Sequence, residues 1–546
     1  MKDVVIIGSG AGGGPLALTL AKAGLDVLVL EKGPHHIRGD YTSDEIEVNR
    51  RGFFTPSLKD DPHMVCTPKT TKAVASPLGW IAVCVGGGTV HMGGFLYRFH
   101  PDDFRMKRRF GPYEELEDWP YSYEELEPWY SRAEWEIGVS GLGGVNPHEG
   151  FRSREYPMRP LAGHDFAQKL EAGMRRKGMN PFPTPRSVNS EFYQDRPACE
   201  HRQACAGYGC PVGAKSGFDE SMIHRALGYG CELRAETMVK QVLTDSSGRA
   251  QGCIYVDKDG EEHEVRAKVV CVSASAVESA RLLLMSRSAR HPDGLANGNG
   301  LVGKHLQFHA VTMGWAGFSH KNHPMFREAS SNPFLGVSAM DHYFLPEGVS
   351  DIAKGGLLRF DMQPRLPLAL SDILLRRSPK PLWGQALKNG LKYQFSEEQG
   401  VYFEYFHDFI PNDRTWVTLD PDVRDRWGLP VARIQLDLPS HHRKAGQWLS
   451  DRAFELLNDL GADAMMPTDI GGTSSYLVHG TCRMGTDPER SVLNPYCQTH
   501  EVDNLFVVDG SFMPTSGGAS PTLTIAANSF RTADHIRSRF ESGDFE

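Results

Sequence analysis

Asp3–Ile7 is a short apolar run rich in β-branched residues, the pattern of a strand buried on both faces of a parallel sheet. It breaks into Gly8–Gly14, and Pro15–Gly24 then has helix-forming composition stopped by glycine. A second buried strand, Asp26–Leu30, ends on Glu31. Further along, Trp80–Val85 predicts a strand running into the glycines Gly86–Gly94. Residues 106–198 read as a helical and irregular insertion. Glu232–Leu243, Gly252–Asp257 and Glu261–Val272 predict a β-meander with turns at Ser246–Gly248 and Lys258–Gly260, and Lys268–Val272 re-enters the parallel sheet. A turn and helix follow over Ser273–Leu283. Alternation in Gly400–Phe406, Thr415–Leu419 and Val431–Leu436, followed by a helix over Arg443–Leu460, predicts an antiparallel sheet with helices behind it. Val502–Gly510 is a third buried strand with an acidic end, and a last helix runs to Ile536.

The first of these breaks carries chemistry. Gly8, Gly10 and Gly13, with Ala11 between them, fit G-x-G-x-x-G after a strand and at the opening of a helix. Such glycines permit a tight turn and let a pyrophosphate approach backbone N–H groups at the positive end of the helix. Glu31 lies 23 positions beyond Gly8, close to the spacing of a carboxylate that holds a ribose hydroxyl. A secretory signal is the competing reading. Lys2-Asp3 is a poor positive flank, the glycines interrupt the apolar run and no small-residue cleavage site follows. The segment therefore predicts dinucleotide binding.

Composition narrows the partners more than the fold. The 546 residues allow three or four domains, and a net charge of −9 with no basic stripe argues against nucleic acid. No apolar run of about 18 residues offers a membrane span. Ten scattered cysteines suggest a reducing compartment, so a cytoplasmic location is expected. No C-x-x-C-H occurs, which excludes c-type haem attachment to this chain.

The Gly86–Gly94 block is followed by Tyr97-Arg98-Phe99, Pro101–Phe104, Asp118-Trp119-Pro120 and Tyr123–Leu126. Together these resemble the second characteristic block of the glucose–methanol–choline (GMC) flavoprotein oxidoreductases. The resemblance implies FAD, with Gly88 close to the flavin. In several sugar-oxidising members the histidine matching His91 carries the flavin covalently; packing of His91 against the ring is the alternative. The backbone around Met238-Val239 commonly faces the adenine in such flavoproteins. Cys199, Cys205 and Cys210 could supply three thiolates to an iron–sulfur cluster, and their run is similar to the cysteine block of membrane-coupled sugar dehydrogenases. The last spacing is one residue longer and no fourth ligand is visible, so free or structural cysteines are the other reading. The Gly300–Leu306 stretch is also family-like, and His305 and His309 read as structural.

The C-terminal block resembles the family's C-terminal signature across roughly 65 residues, from Val478-His479-Gly480-Thr481-Cys482-Arg483-Met484-Gly485 through Val502–Ser511 to Gly517–Ile525. Asp509 is suited to the ribityl or phosphate side of the flavin nucleotide, and the resemblance places Ala519 among the cofactor-binding residues. Oxidising an alcohol requires loss of the hydroxyl proton as hydride leaves the carbon, and support for the developing alkoxide. The family places a histidine just ahead of this Gly-Thr, and a histidine or asparagine just before Pro-Thr. His479 is accordingly the candidate base. Ser520 stands where the partner is usual, and Leu477 where family members often carry the histidine. Asn528, on the following helix, is a less suitable substitute.

The expected architecture is α/β: a doubly wound, Rossmann-like FAD-binding domain (1–40, 73–105, 199–310 and 471–546) with a discontinuous antiparallel-sheet-plus-helices substrate domain (41–72, 106–198 and 311–470). The expected activity is oxidation of an alcohol on a sugar, polyol, glycoside or amino sugar, with oxygen or a redox partner as acceptor. A lyase on the same fold and a non-catalytic FAD-binding or electron-transfer subunit are the alternatives.

Overall fold

The computed structural model describes all residues except 50, 71, 112, 114, 202–204, 328–333, 365, 378, 379 and 546. Its first sheet has at its centre the strand Lys2–Ile7, which pairs in parallel with Val27–Leu30 on one side and with the end of Glu262–Val272 on the other. Glu232–Arg234 extends this sheet beyond Val27–Leu30, and Leu505–Val507 pairs in parallel with Val270–Val272. All of Val4, Val5, Ile6, Val27, Leu28, Val29, Val269 and Val270 are fully buried, as a parallel sheet covered by helices requires. The helices Gly13–Lys22 and Thr522–Glu541 pack against each other beside it. The strand Glu262–Val272 serves two pairings: Glu262–Arg266 pairs antiparallel with Ala250–Val256, and Ala267–Val272 joins the parallel layer.

Three predicted strands are redrawn. Glu232–Leu243 divides into Glu232–Arg234 and Met238–Thr244. Between them Glu236 adopts φ 56°, while Glu236 and Thr237 donate their amides to the carbonyls of Gly33 and Glu31. Trp80–Val85 forms no strand: the Val83 amide bonds the Phe54 carbonyl and the Val85 amide bonds the Pro34 carbonyl, so its backbone is satisfied by loops. Val502–Gly510 contributes only Leu505–Val507.

A second, six-stranded sheet lies in the order Ala464–His479, Gln307–Ser319, Glu398–His407, Gly356–Met362, Val337–Ala339, Phe182–Pro183. Alternation sorts its faces. Leu358, Phe360, Val401, Phe403 and Tyr405 point to the long helix Ser440–Asp459 and meet Ala445, Leu449, Ala453 and Leu456. Arg359, Asp361, Tyr402 and Glu404 occupy the opposite face, where Arg359 pairs with Glu404 and Arg186 with Asp361. The predicted strands near 415 and 431 (Trp416–Arg424 and Pro430–Gln435) pair with each other and with His63–Cys66, in a separate four-stranded sheet. Residues 106–198 hold the helices Met106–Phe110, Tyr123–Ile137 and Phe166–Arg176, as the insertion predicts.

Candidate active site and dinucleotide cleft

The two glycine turns meet. Gly8 has φ +97°, and a Cβ on Gly13 would stand 1.9 Å from the Gly8 carbonyl oxygen. A Cβ on Gly12 would stand 1.5 Å from the Val508 carbonyl oxygen, so the C-terminal strand locks the turn from behind. Gly10 differs: its nearest neighbours would be 3.9 Å away, in Gly86 and Gly87. Ser9 ties the turns together, its hydroxyl accepting from the Gly86 amide and donating to Glu31. The helix Gly13–Lys22 has neither a side-chain cap nor an acid in its first turn, so its positive end is open to an anion, although the Gly14 amide is already bonded to the Gly10 carbonyl.

Beside this turn lies a cleft of about 870 Å³, open solvent included, lined by Gly8, Gly10, Glu31, Gly87, Val239 and Ala274 among others. The Glu31 carboxylate accepts from the Ser9 amide, the Ser9 hydroxyl and the Gly33 amide, at 3.1, 2.6 and 3.0 Å. Burial nevertheless raises its pKa above the ordinary value. Asp509 does not line the cleft. Its carboxylate accepts from the Ser275 amide, the Ser279 hydroxyl and the Ser511 amide, joining two loops that flank the turn. Ala11 is half-buried at the glycine turn and Ala519 is fully buried. Sequence reasoning missed the ionic lining of the cleft. Lys32 reaches Asp61 at 2.6 Å, and Arg281 binds Asp425 and Glu278 with its side chain 1% exposed. Burial opposes ionisation of Glu278, but Arg281 and Lys32 hold its pKa well below the usual range.

A Cβ on Gly88 would meet nothing within 4 Å, the open space that a flat ring beside this loop needs. His91 stacks on Phe54, with ring centres 5.2 Å apart, and burial together with the charge of Lys215 lowers its pKa to about 4. Lys215 itself is buried, donating to the carbonyls of Met92, Cys205 and Tyr208 at 2.9, 2.8 and 2.6 Å. Cys199, Cys205 and Cys210 are free thiols, and no group of three or more potential metal ligands forms among the described residues. Of the two readings of this run, the iron–sulfur ligand set is not seen among the described residues; residues 202–204 of that loop lie outside them. Burial pushes the Cys199 thiol up to about 11.

His479 ends the strand Ala464–His479, opposite Gln307, and is fully buried. Gly480 turns the chain with φ +87°, and a Cβ there would lie 2.3 Å from the His305 carbonyl oxygen. The structure brings His309 against His479, ring centres 5.7 Å apart at 70°. Both nitrogens of both rings lack a hydrogen-bond partner. Burial lowers the His479 pKa to about 3 and, with His479 beside it, holds His309 well below the ordinary value. Sequence reading took His309 as structural, because nothing along the chain shows that a strand 170 positions away ends beside it. Ser520 is 7% exposed, whereas Asn528 is committed elsewhere, accepting from the Tyr121 hydroxyl and donating to Cys497.

The loop ahead of Ser520 is held by a buried ionic group that the sequence did not signal. Lys354 lies 2.9 Å from Asp103 and 2.8 Å from Asp408, all three side chains 0% exposed. Tyr343 donates to Asp103 and accepts from the Gly518 amide, while the Ser516 hydroxyl donates to Asp408.

A glycine-turn cleft on a parallel sheet, beside a second sheet that carries a buried histidine pair on two neighbouring strands, defines a dinucleotide-binding fold. Family models agree: "GMC oxidoreductase" matches residues 176–311 and 411–529, and "FAD binding domain" matches residues 3–38. The chain is 33% identical to 2-methyl-1,2-propanediol dehydrogenase of Mycolicibacterium austroafricanum, covering 98% of this chain and 95% of the relative. It is 30% identical to 6'''-hydroxyparomomycin C oxidase of Streptomyces lividus, covering 98% and 91%. A solved structure of Aspergillus oryzae formate oxidase shares the fold at TM-score 0.64 and 15% identity, covering 100% of this chain and 99% of that one. The chain belongs to the GMC oxidoreductase family, FAD-dependent oxidoreductases acting on CH–OH donors. Among the described residues no helix is long and apolar enough to cross a membrane.

Proposed function

We propose that the protein oxidises an alcohol group of a polyol, sugar or amino sugar, with His479 receiving the hydroxyl proton. The single observation that carries the reading is the His479–His309 pair. A buried polar ring without partners is costly, and four such nitrogens side by side suit a site completed by substrate. Both imidazoles are neutral at physiological pH, so a lone pair is available at a ring nitrogen. Bound FAD supplies the hydride acceptor. His479 takes the proton, and Ser520, beyond the clamped loop, is the donor assigned to the substrate oxygen. The residues fit FAD at the other end too: Gly10 and Gly88 leave the space, and Glu31 and Val239 line the cleft. A neutral His91 is in the protonation state that a covalent bond from its ring to the flavin needs; retention of FAD after acid precipitation reads it out. The substrate class rests on the relatives, one named for a diol and one for an aminoglycoside, and an amino sugar also suits the net charge of −9.

The test is anaerobic bleaching of bound flavin by a panel of diols, sugars and amino sugars, with His479→Ala as control. Bleaching by at least one class, slowed about 100-fold or more in His479→Ala, is the expected result. Undiminished bleaching in the variant removes His479 from its role. Aldehyde release without bleaching points instead to a lyase, and neither response points to an electron-transfer subunit.

A further inference from the structure

The fold leaves a basic, apolar projection that the redox site does not use. The helix Pro367–Asp372 and the helix Gly384–Ser396 pack together as a hairpin where the strand Glu398–His407 of the second sheet begins, bonded where the Leu382 amide meets the Leu374 carbonyl at 2.9 Å. None of the residues in Gly384–Ser396 is buried. Trp383 is 81% exposed, and Leu368 and Leu375, in the preceding helical segment, are exposed as well. The sequence between 366 and 396 holds five basic residues and one acid, Asp372, although the whole chain carries −9. Arg376, Lys380, Lys388 and Lys392 are all exposed; Arg376 pairs with Asp372. The hairpin is built to project: Glu45 caps its first helix, accepting from the amides of Leu368 and Ala369 at 2.9 Å each. Leu366, at its base, packs on the cluster that contains Phe54, the ring stacked on His91.

We infer that this hairpin docks the enzyme on an anionic phospholipid surface. A tryptophan and leucines flanked by lysines suit the headgroup boundary, where the apolar side chains enter and the ammonium groups meet phosphates. An acidic protein partner would match the charge alone, leaving Trp383 and the leucines needing a matching pocket. The positive charge gathered here against an acidic remainder also fixes the orientation, hairpin toward the lipid.

The test is co-sedimentation of the FAD-loaded protein with phosphatidylcholine vesicles, with and without phosphatidylglycerol, at low and high salt. Binding to the anionic vesicles at least about tenfold tighter than to neutral ones, and weakened by salt, is expected. Lys388→Glu with Lys392→Glu lowers it at least about 30-fold, and Trp383→Ser about tenfold. Far-UV circular dichroism and flavin content of these surface variants stay unchanged. No vesicle binding, equal binding to both vesicle types, or indifference to the charge reversal overturns the inference. None of these results depends on alcohol oxidation, so the proposed chemistry stands or falls separately.

Discussion

The glycine turn permits a paired test, because two of its glycines are demanded for different reasons. A Cβ on Gly13 would be 1.9 Å from the Gly8 carbonyl oxygen and 2.9 Å from its carbon. Non-bonded heavy atoms sit comfortably at roughly 3.5 Å, so turn and helix must separate by about 1.5 Å. The obstacle is backbone, which cannot rotate away as a side chain can. Gly13→Ala should therefore cost at least about 3 kcal/mol, the upper end of overpacking. Gly10 has no positive φ, and its added Cβ would find neighbours only at 3.9 Å. Gly10→Ala should leave the apoprotein as stable as before, or more stable by about 0.4–1 kcal/mol because the unfolded chain loses freedom. Its methyl instead fills the space assigned to the pyrophosphate. An overpacking cost of about 1–3 kcal/mol placed on the complex weakens FAD by roughly 5- to 150-fold. Urea unfolding of apoprotein measures the first effect, and titration with FAD followed by flavin fluorescence the second. If Gly10→Ala binds FAD like the unmodified protein, the placement of the cofactor on this turn is wrong; if Gly13→Ala unfolds at the same urea concentration, the turn and helix are not packed as the Gly8 contact requires.

Lys354→Met leaves Asp103 and Asp408 facing each other without their cation and should lower unfolding stability by about 3–5 kcal/mol; an unchanged urea midpoint would show that the group is not ionised as drawn. Arg281→Met removes the partner of Asp425 and Glu278, with a similar expected loss. Burial raises Asp219 to about 6, above its unfolded value, so its contribution is fully present below about pH 4 and is lost as pH rises through 6. Asp219→Asn should then raise stability by about 2–3 kcal/mol at pH 7.5 and by only about 1 kcal/mol at pH 4.5; an equal gain at both would refute the assignment. Burial holds His479 near 3 and His309 well below the ordinary value. The rate of flavin reduction should accordingly show no histidine limb between pH 5 and 8, and a limb near 6.5 would mean that an exposed imidazole does the work.

What was legible along the chain follows a physical division. Asp3–Glu31 was readable because strand, glycine turn, helix and second strand are consecutive, each leaving its own local signature in the right register. Trp80–Val85 misled for the converse reason: its apolar run is set by packing beneath Gly33, and its amides bond loops at Pro34 and Phe54, which no periodicity encodes. The strands near 415 and 431 were found as strands but not with their sheet, since the strand His63–Cys66 that pairs with Pro430–Gln435 lies more than 350 residues earlier. The same limit governs the site. The motif drew attention to His479, yet its neighbour His309 has no motif and becomes visible only when the strand Gln307–Ser319 pairs with Ala464–His479. Lys354, Asp103 and Asp408 come from three separate segments, and their roles exist only in the meeting of those segments. A buried charge is tolerable only with its counter-charge beside it, so each of these residues owes its presence to a partner that sequence distance conceals. Local backbone demands are therefore written where they act, whereas electrostatic demands are written wherever the fold happens to bring the second charge.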